Sequence, residues 1–209
     1  MALFLIGTTV TYAQKTTDEI RKEMNKKASK DARKEAKKLK KEGWEVTPGA
    51  LPIEKQLDRA YMMQYEISES GLPKYVIGEA MSIGEHYDAA KMQALQLAKQ
   101  NLAGSVQTEV SALVEGLVSN KQLTAGEAAS LSETTMSSKA LITQNLGRTI
   151  TAVEMYRTLK NGNKEVLVRI AYNSALALEA AKQAIRQNMK AKGDDLSGKL
   201  DKILENMNK

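Results

Sequence analysis

The one histidine of the chain, His86, sits among acids in "GEHYDAAK", so Glu85, His86 and Asp88 form its only cluster of potential metal ligands. Such a cluster could hold a divalent cation or supply a base. Its position between a strand-like run and an alanine-rich helical pattern gives a simpler assignment: Asp88 caps the helix and His86 is a polar turn residue. Cysteine is absent, which excludes thiol nucleophiles, thiolate metal sites and redox pairs. No Gly-Lys-Ser/Thr phosphate loop occurs. Scattered carboxylates could pair as acid and base in a carboxylate-dependent hydrolase, or line a carbohydrate site. Aromatic platforms for sugars are scarce, however, with one Trp, one Phe and seven Tyr. The sequence therefore reads as a non-enzyme, with no catalytic residue, no metal ligand and no cofactor assigned.

The chemistry the chain does advertise is cationic. Between Lys15 and Glu42 there are twelve Lys or Arg and six Asp or Glu; the remainder of the chain has nineteen of each. The whole formal charge of +6 thus sits in one segment, and any electrostatic partner should meet it there. Lys26, Lys27, Lys30, Lys34, Lys37, Lys38 and Lys41 are the candidate contacts to an acidic surface or partner, and Trp44 stands beside them as a contact or as an anchor to the core. Each near-surface cation contributes about 1 kcal/mol at an anionic bilayer, enough for reversible adhesion. The segment lacks interleaved aromatics that could stack on bases, so nucleic acid is not expected as a partner.

These residues must be positioned by helices. Residues 14–43 form a basic arm, helical over 17–42, with Gly43 as its stop. The apolar positions Ile20, Met24, Ala28, Ala32, Ala36 and Leu39 drift around a helix by ~40° per four-residue step. A stripe that is mostly alanine buries little area, so the arm is predicted to be a solvated extension. Residues 44–74 are a linker with a short helix carrying Leu57, Ala60, Tyr61 and Tyr65, Pro52 lying in its first turn. "YVIGEAMSIG", residues 75–84, reads as a strand whose small face, Val76, Gly78, Ala80 and Ser82, invites a closely packed helix. A long helix should follow to Ser119, with Leu95, Ala98, Leu102, Val106, Val110, Leu113 and Leu117 on its buried side. Thr124 and Glu127 have capping-box spacing and open a helix carrying Leu131, Leu141 and Leu146. Residues 150–172 flank Asn161-Gly162 as a tight hairpin, and a helix from Ala175 to Lys192 closes at Gly193. The tail 193–209 is a small amphipathic helix. The fold class is α+β: a small antiparallel sheet packed against long helices, with a core domain over 75–192 and helical extensions at both ends.

The opening "MALFLIGTTVTYAQ" resembles the second half of a signal peptide cut after Ala13, and its apolar run is too short to span a bilayer. No later stretch is apolar enough to do so. The expected location is periplasmic or extracellular, peripheral at the outer membrane.

The strand "YVIGEAMSIG", the helix "DAAKMQALQLAKQNLAGSV" with its ladder Ala89, Ala90, Ala94 and Ala98, the late "EVLVRIAYN" and the helix "ALALEAAKQAIR" together resemble the Lpp-twenty type of bacterial envelope lipoprotein domain. The pattern is also similar to the N-terminal part of flagellar assembly protein T. The likeness covers about residues 75–186. It implies an envelope α+β domain without catalytic residues; the lipid-attachment Cys of that family is missing here, so the same anchorage is not implied. The expected partner is an envelope protein or an anionic envelope surface, with self-association through the terminal helices as an alternative.

Overall fold

The run Lys164–Asn173 buries residues on both of its faces, Val166, Val168 and Ile170 on one and Leu167 and Ala171 on the other. A strand apolar on both sides must be central and covered twice. The computed structural model, which describes residues 17–69, 71–119 and 124–193, contains both covers. The elements are α1 (Thr17–Lys41), α2 (Ile53–Tyr65), β1 (Tyr75–Gly84), α3 (Tyr87–Ser119), α4 (Ala125–Ser137), α5 (Lys139–Asn145), β2 (Ile150–Thr158), β3 (Lys164–Asn173) and α6 (Ser174–Lys192). The fold is α+β, with an antiparallel sheet in the order β1-β3-β2. Among the described residues, no helix is long and apolar enough to cross a membrane.

The first cover is helical and aliphatic. α3 lays Ala90, Ala94, Ala98, Leu102, Val106 and Val110 against Val76, Val166, Val168 and Ile170, and α4, α5 and α6 close the same core with Leu131, Ile142, Ala181 and Ile185. The side chains of Leu113 and Leu117 lie outside the described set. The small face expected on β1 is where α3 comes closest: a Cβ added at Gly78 would collide with the Ala98 carbonyl oxygen and lie 2.8 Å from Leu102 Cβ. α3 begins at Tyr87, one residue before the expected cap. Ala90 N donates to the His86 carbonyl (3.2 Å), so the chain enters the helix at His86, and Asp88 is an acid of the first turn rather than its cap.

The single helix expected after Thr124 is two. Its capping box forms as expected, with Thr124 and Glu127 exchanging side-chain bonds. The break falls at Ser138, which is fully buried and donates from Oγ to the Thr134 carbonyl (2.6 Å). Asn188 of α6 donates to the Ser137 and Ser138 hydroxyls (2.7 and 3.0 Å). A run of Ser and Thr offers the backbone such side-chain partners, and one helix becomes two. The hairpin closes through a three-residue loop, with Leu159 N donating to Asn163 O (2.8 Å) and Gly162 at φ 86°. α6 is capped by Asn173, whose Oδ1 accepts from Leu176 N, and ends on Gly193 at φ 72°.

The second cover corrects the expectation for the arm. Ala32, Ala36, Leu39 and Trp44 join Ile53, Leu57 and Ala60 of α2 against Ala152, Val153, Met155 and Leu167 of the sheet. α1 and α2 form a helical hairpin over the face that α3 leaves free, and α1 is part of the body rather than a solvated extension. Each alanine buries little area, but a row of them lets two helix axes approach closely, and the two-faced β3 needs that cover. A bulge between Thr151 and Val153 adds Ala152 to β2, and both Ala152 and Val153 are buried in this second core. Pro52 stands at the cap of α2, one position before its first turn. The segment expected to be a signal peptide and the expected C-terminal helix beyond Gly193 lie outside the described residues.

Candidate functional site

The docking of α1 fixes which way its lysines point. At ~100° per residue, Lys26, Lys30, Lys34, Lys37 and Lys41 fall within an arc of about 80°, centred about 200° from the buried stripe of Ala28, Ala32, Ala36 and Leu39. All five are exposed. They span about 22 Å along the helix at ~1.5 Å per residue. None makes a hydrogen bond, ion pair or ring contact among the described residues.

Of the acids in the same stretch, Asp31 and Glu35 are turned toward the body, and Glu42 is spent on a lysine of the helix itself. Asp31 accepts from the Tyr65 hydroxyl (3.3 Å), Glu35 pairs with Arg169 of β3 (3.1 Å), and Glu42 pairs with Lys38 (3.8 Å). Arg169 also pairs with Glu79 of β1 (2.5 Å), so one guanidinium ties α1 to two strands. Burial works against that charge, and Glu79 and Glu35 outweigh it to raise the Arg169 pKa. Tyr61 stacks close by, its pKa pushed up to about 12 by burial and then by the Glu35 carboxylate. The face between Lys26 and Lys41 is consequently uniformly positive.

Two of the expected lysine contacts are already engaged: Lys27 Nζ lies 5.2 Å from the Tyr65 ring centroid, and Lys38 is held by Glu42. Trp44 is corrected as a surface candidate. It is 5% exposed, packs in the second core, and carries the Arg157 guanidinium 4.8 Å from its ring centroid. Beside it, Glu45 pairs with Tyr156 through two backbone bonds (2.8 and 2.9 Å) that seal the outer edge of β2. Trp44 therefore anchors the end of the arm.

The Glu85, His86 and Asp88 cluster lies at the surface, all three residues exposed. Among the described residues no group of three or more His, Asp or Glu is arranged to hold a metal ion. A second feature was not read from the sequence. A cleft of about 780 Å³ opens between the middle of α3, the start of α6 and the segment leading into β1, lined mainly by apolar side chains. Its lining brings together segments distant in sequence, with one carboxylate, Glu109, among them. A facing pair of acids, which carboxylate hydrolysis requires, is not part of that lining.

No family model matches the chain, and no match was found among curated proteins or solved structures.

Proposed function

We propose that this chain is a non-enzymatic, exported cell-envelope protein with a binding or assembly role, in which the outer face of α1 contacts an acidic surface or partner. One observation carries the reading: α1 spends Asp31, Glu35 and its alanines on the body and leaves Lys26, Lys30, Lys34, Lys37 and Lys41 exposed on the far side, without a partner among the described residues. A helix held at a fixed orientation presents those charges as a rigid row, so the ordering cost is already met when a planar acidic surface arrives. The resemblance to the Lpp-twenty type of domain and the signal-like N-terminus support an envelope location, periplasmic or extracellular and peripheral at the outer membrane. In this reading the sheet and α3–α6 are the scaffold that holds the row.

The test is co-sedimentation of the full chain with vesicles containing anionic phospholipid. At about 1 kcal/mol per lysine near the surface, replacing Lys30, Lys34 and Lys37 by Gln should weaken binding by about 3 kcal/mol, more than a hundredfold. Binding should also fall steeply with salt, since screening shortens to ~3 Å at 1 M. Binding that ignores both the triple substitution and the salt would remove the proposal.

A further inference from the structure

We propose that the cleft between α3 and α6 is a binding site for a cationic amphiphile, a ligand with an apolar body and one positively charged amine. The volume of about 780 Å³ lies within the range of ~300–1,000 Å³ that organic ligands occupy in proteins. Small residues make the room: Ala112 projects from α3, and Ala175 and Ala177 from the first turn of α6. Leu72, Val76 and Leu178 supply an apolar lining for a hydrocarbon body.

The charge of the ligand follows from which groups in the lining are already satisfied. Lys74 pairs with Glu66 at 2.5 Å and lies 5.6 Å from the Tyr75 ring centroid. Asn173 caps α6 by accepting from Leu176 N (3.1 Å), and Ser174 N donates to the Lys74 carbonyl (3.0 Å). Glu109 differs: its side chain is exposed at the cleft, among the described residues it has no hydrogen-bond or ion-pair partner, and partial desolvation raises its carboxyl pKa. The net electrostatic deficit of the cleft is one positive charge. A ligand that brings an ammonium beside Glu109 and lays its chain along the apolar lining supplies it, whereas an anionic amphiphile would set a like charge against that carboxylate.

Titration calorimetry on the full chain tests this with dodecyltrimethylammonium below its micelle concentration. Dodecyldimethylamine oxide, uncharged at mildly alkaline pH, is the neutral comparator of matching length. The cation should bind about threefold to fivefold more tightly than the amine oxide, the scale of one exposed ion pair. Glu109→Gln should erase that difference, and Ala112→Phe, at an exposed position that leaves the fold unchanged, should weaken both ligands about tenfold. The triple Lys→Gln variant of α1 should leave both affinities unaltered, which separates this site from the basic face. Equal binding of the two amphiphiles, a preference that survives Glu109→Gln, or indifference to Ala112→Phe would each overturn the assignment.

Discussion

Gly78 offers a test in which the structure fixes even the sign of the effect. Replacing a glycine by alanine in a strand whose geometry tolerates it stabilises a protein by about 0.4–1 kcal/mol, because the unfolded chain loses freedom. At Gly78 the added methyl meets the Ala98 carbonyl oxygen and stands 2.8 Å from Leu102 Cβ and 3.2 Å from the Ala98 carbonyl carbon. Two of those atoms are backbone of a buried helix, which no rotamer change can move. α3 must shift away from the sheet and open its contacts with Val166, Val168 and Ile170. Overpacking of this kind costs about 1–3 kcal/mol, and an obstacle made of backbone places Gly78→Ala near the upper end. For a chain of this length each kcal/mol moves Tm by about 2–4 °C, so thermal unfolding followed by circular dichroism should shift down by about 6–12 °C. Truncating Leu102 in the same protein should not restore stability, since the carbonyl contact remains. Gly104→Ala is the control on the same helix. Its nearest neighbours are the Lys139 Cε and Nζ atoms at 3.4 Å, a flexible chain end, and it should gain about 0.5–1 kcal/mol in helix propensity. A Gly78→Ala protein as stable as the parent, or more so, would refute the close approach of α3 to β1 and with it the layering of the fold.

Two further outcomes concern the bond between arm and sheet. Arg169→Ala leaves Glu35 without its ion pair beside the body, and among the described residues Glu35 Oε2 already has no hydrogen-bond partner. Loss of one member of such a half-buried pair costs about 1–3 kcal/mol. Chemical denaturation should register that loss, and Trp44 fluorescence should shift to the red as the arm loosens; an unchanged midpoint would detach Arg169 from this role. Spectrophotometric titration of the tyrosines should find Tyr61 among the late-ionising ones, its pKa raised from 10.0 to about 12. A group whose folded pKa is raised contributes stability that is complete below its unfolded pKa and disappears as pH climbs through the folded one. For Tyr61 that window runs from about pH 10 to pH 12, and Tyr61→Phe should flatten the loss of stability across it.

How much of this could be read beforehand depended on whether a residue's fate was local. The face of α3 was legible because Leu102, Val106 and Val110 bury enough area apiece to declare a helix side from spacing alone, and Gly78 and Ser82 announced a close neighbour by being small. The loop at Gly162 and the cap at Asn173 were legible because turn chemistry acts over a few residues. The arm was not. Alanine at Ala28, Ala32 and Ala36 says only that a helix is tolerated; whether the stripe is buried depends on Leu57, Ala60 and Met155, which arrive from elsewhere in the chain. The signal that could have revealed it lay in "EVLVRIAY", whose adjacent buried residues Val166, Leu167 and Val168 belong to opposite faces and demand two covers. Only the amphipathic helices before β1 remained to supply the second.

The same logic separates the two candidate sites. The lysine row was visible as residue types and as four- and three-residue steps, but its consequence required the buried side of the helix: charges on an undocked helix rotate freely, whereas charges opposite a docked alanine stripe face one direction. The cleft had no such trace, because Leu72 to Ile77, residues on α3 such as Val106 and Ala112, and Asn173 to Leu178 contribute to it from three separate stretches and none is unusual where it stands. Glu109 looks in the sequence like one more exposed helix carboxylate. It stays exposed in the fold, and its place beside an apolar cleft arises only when α6 brings Ala175 and Ala177 and the chain entering β1 brings Leu72 and Val76.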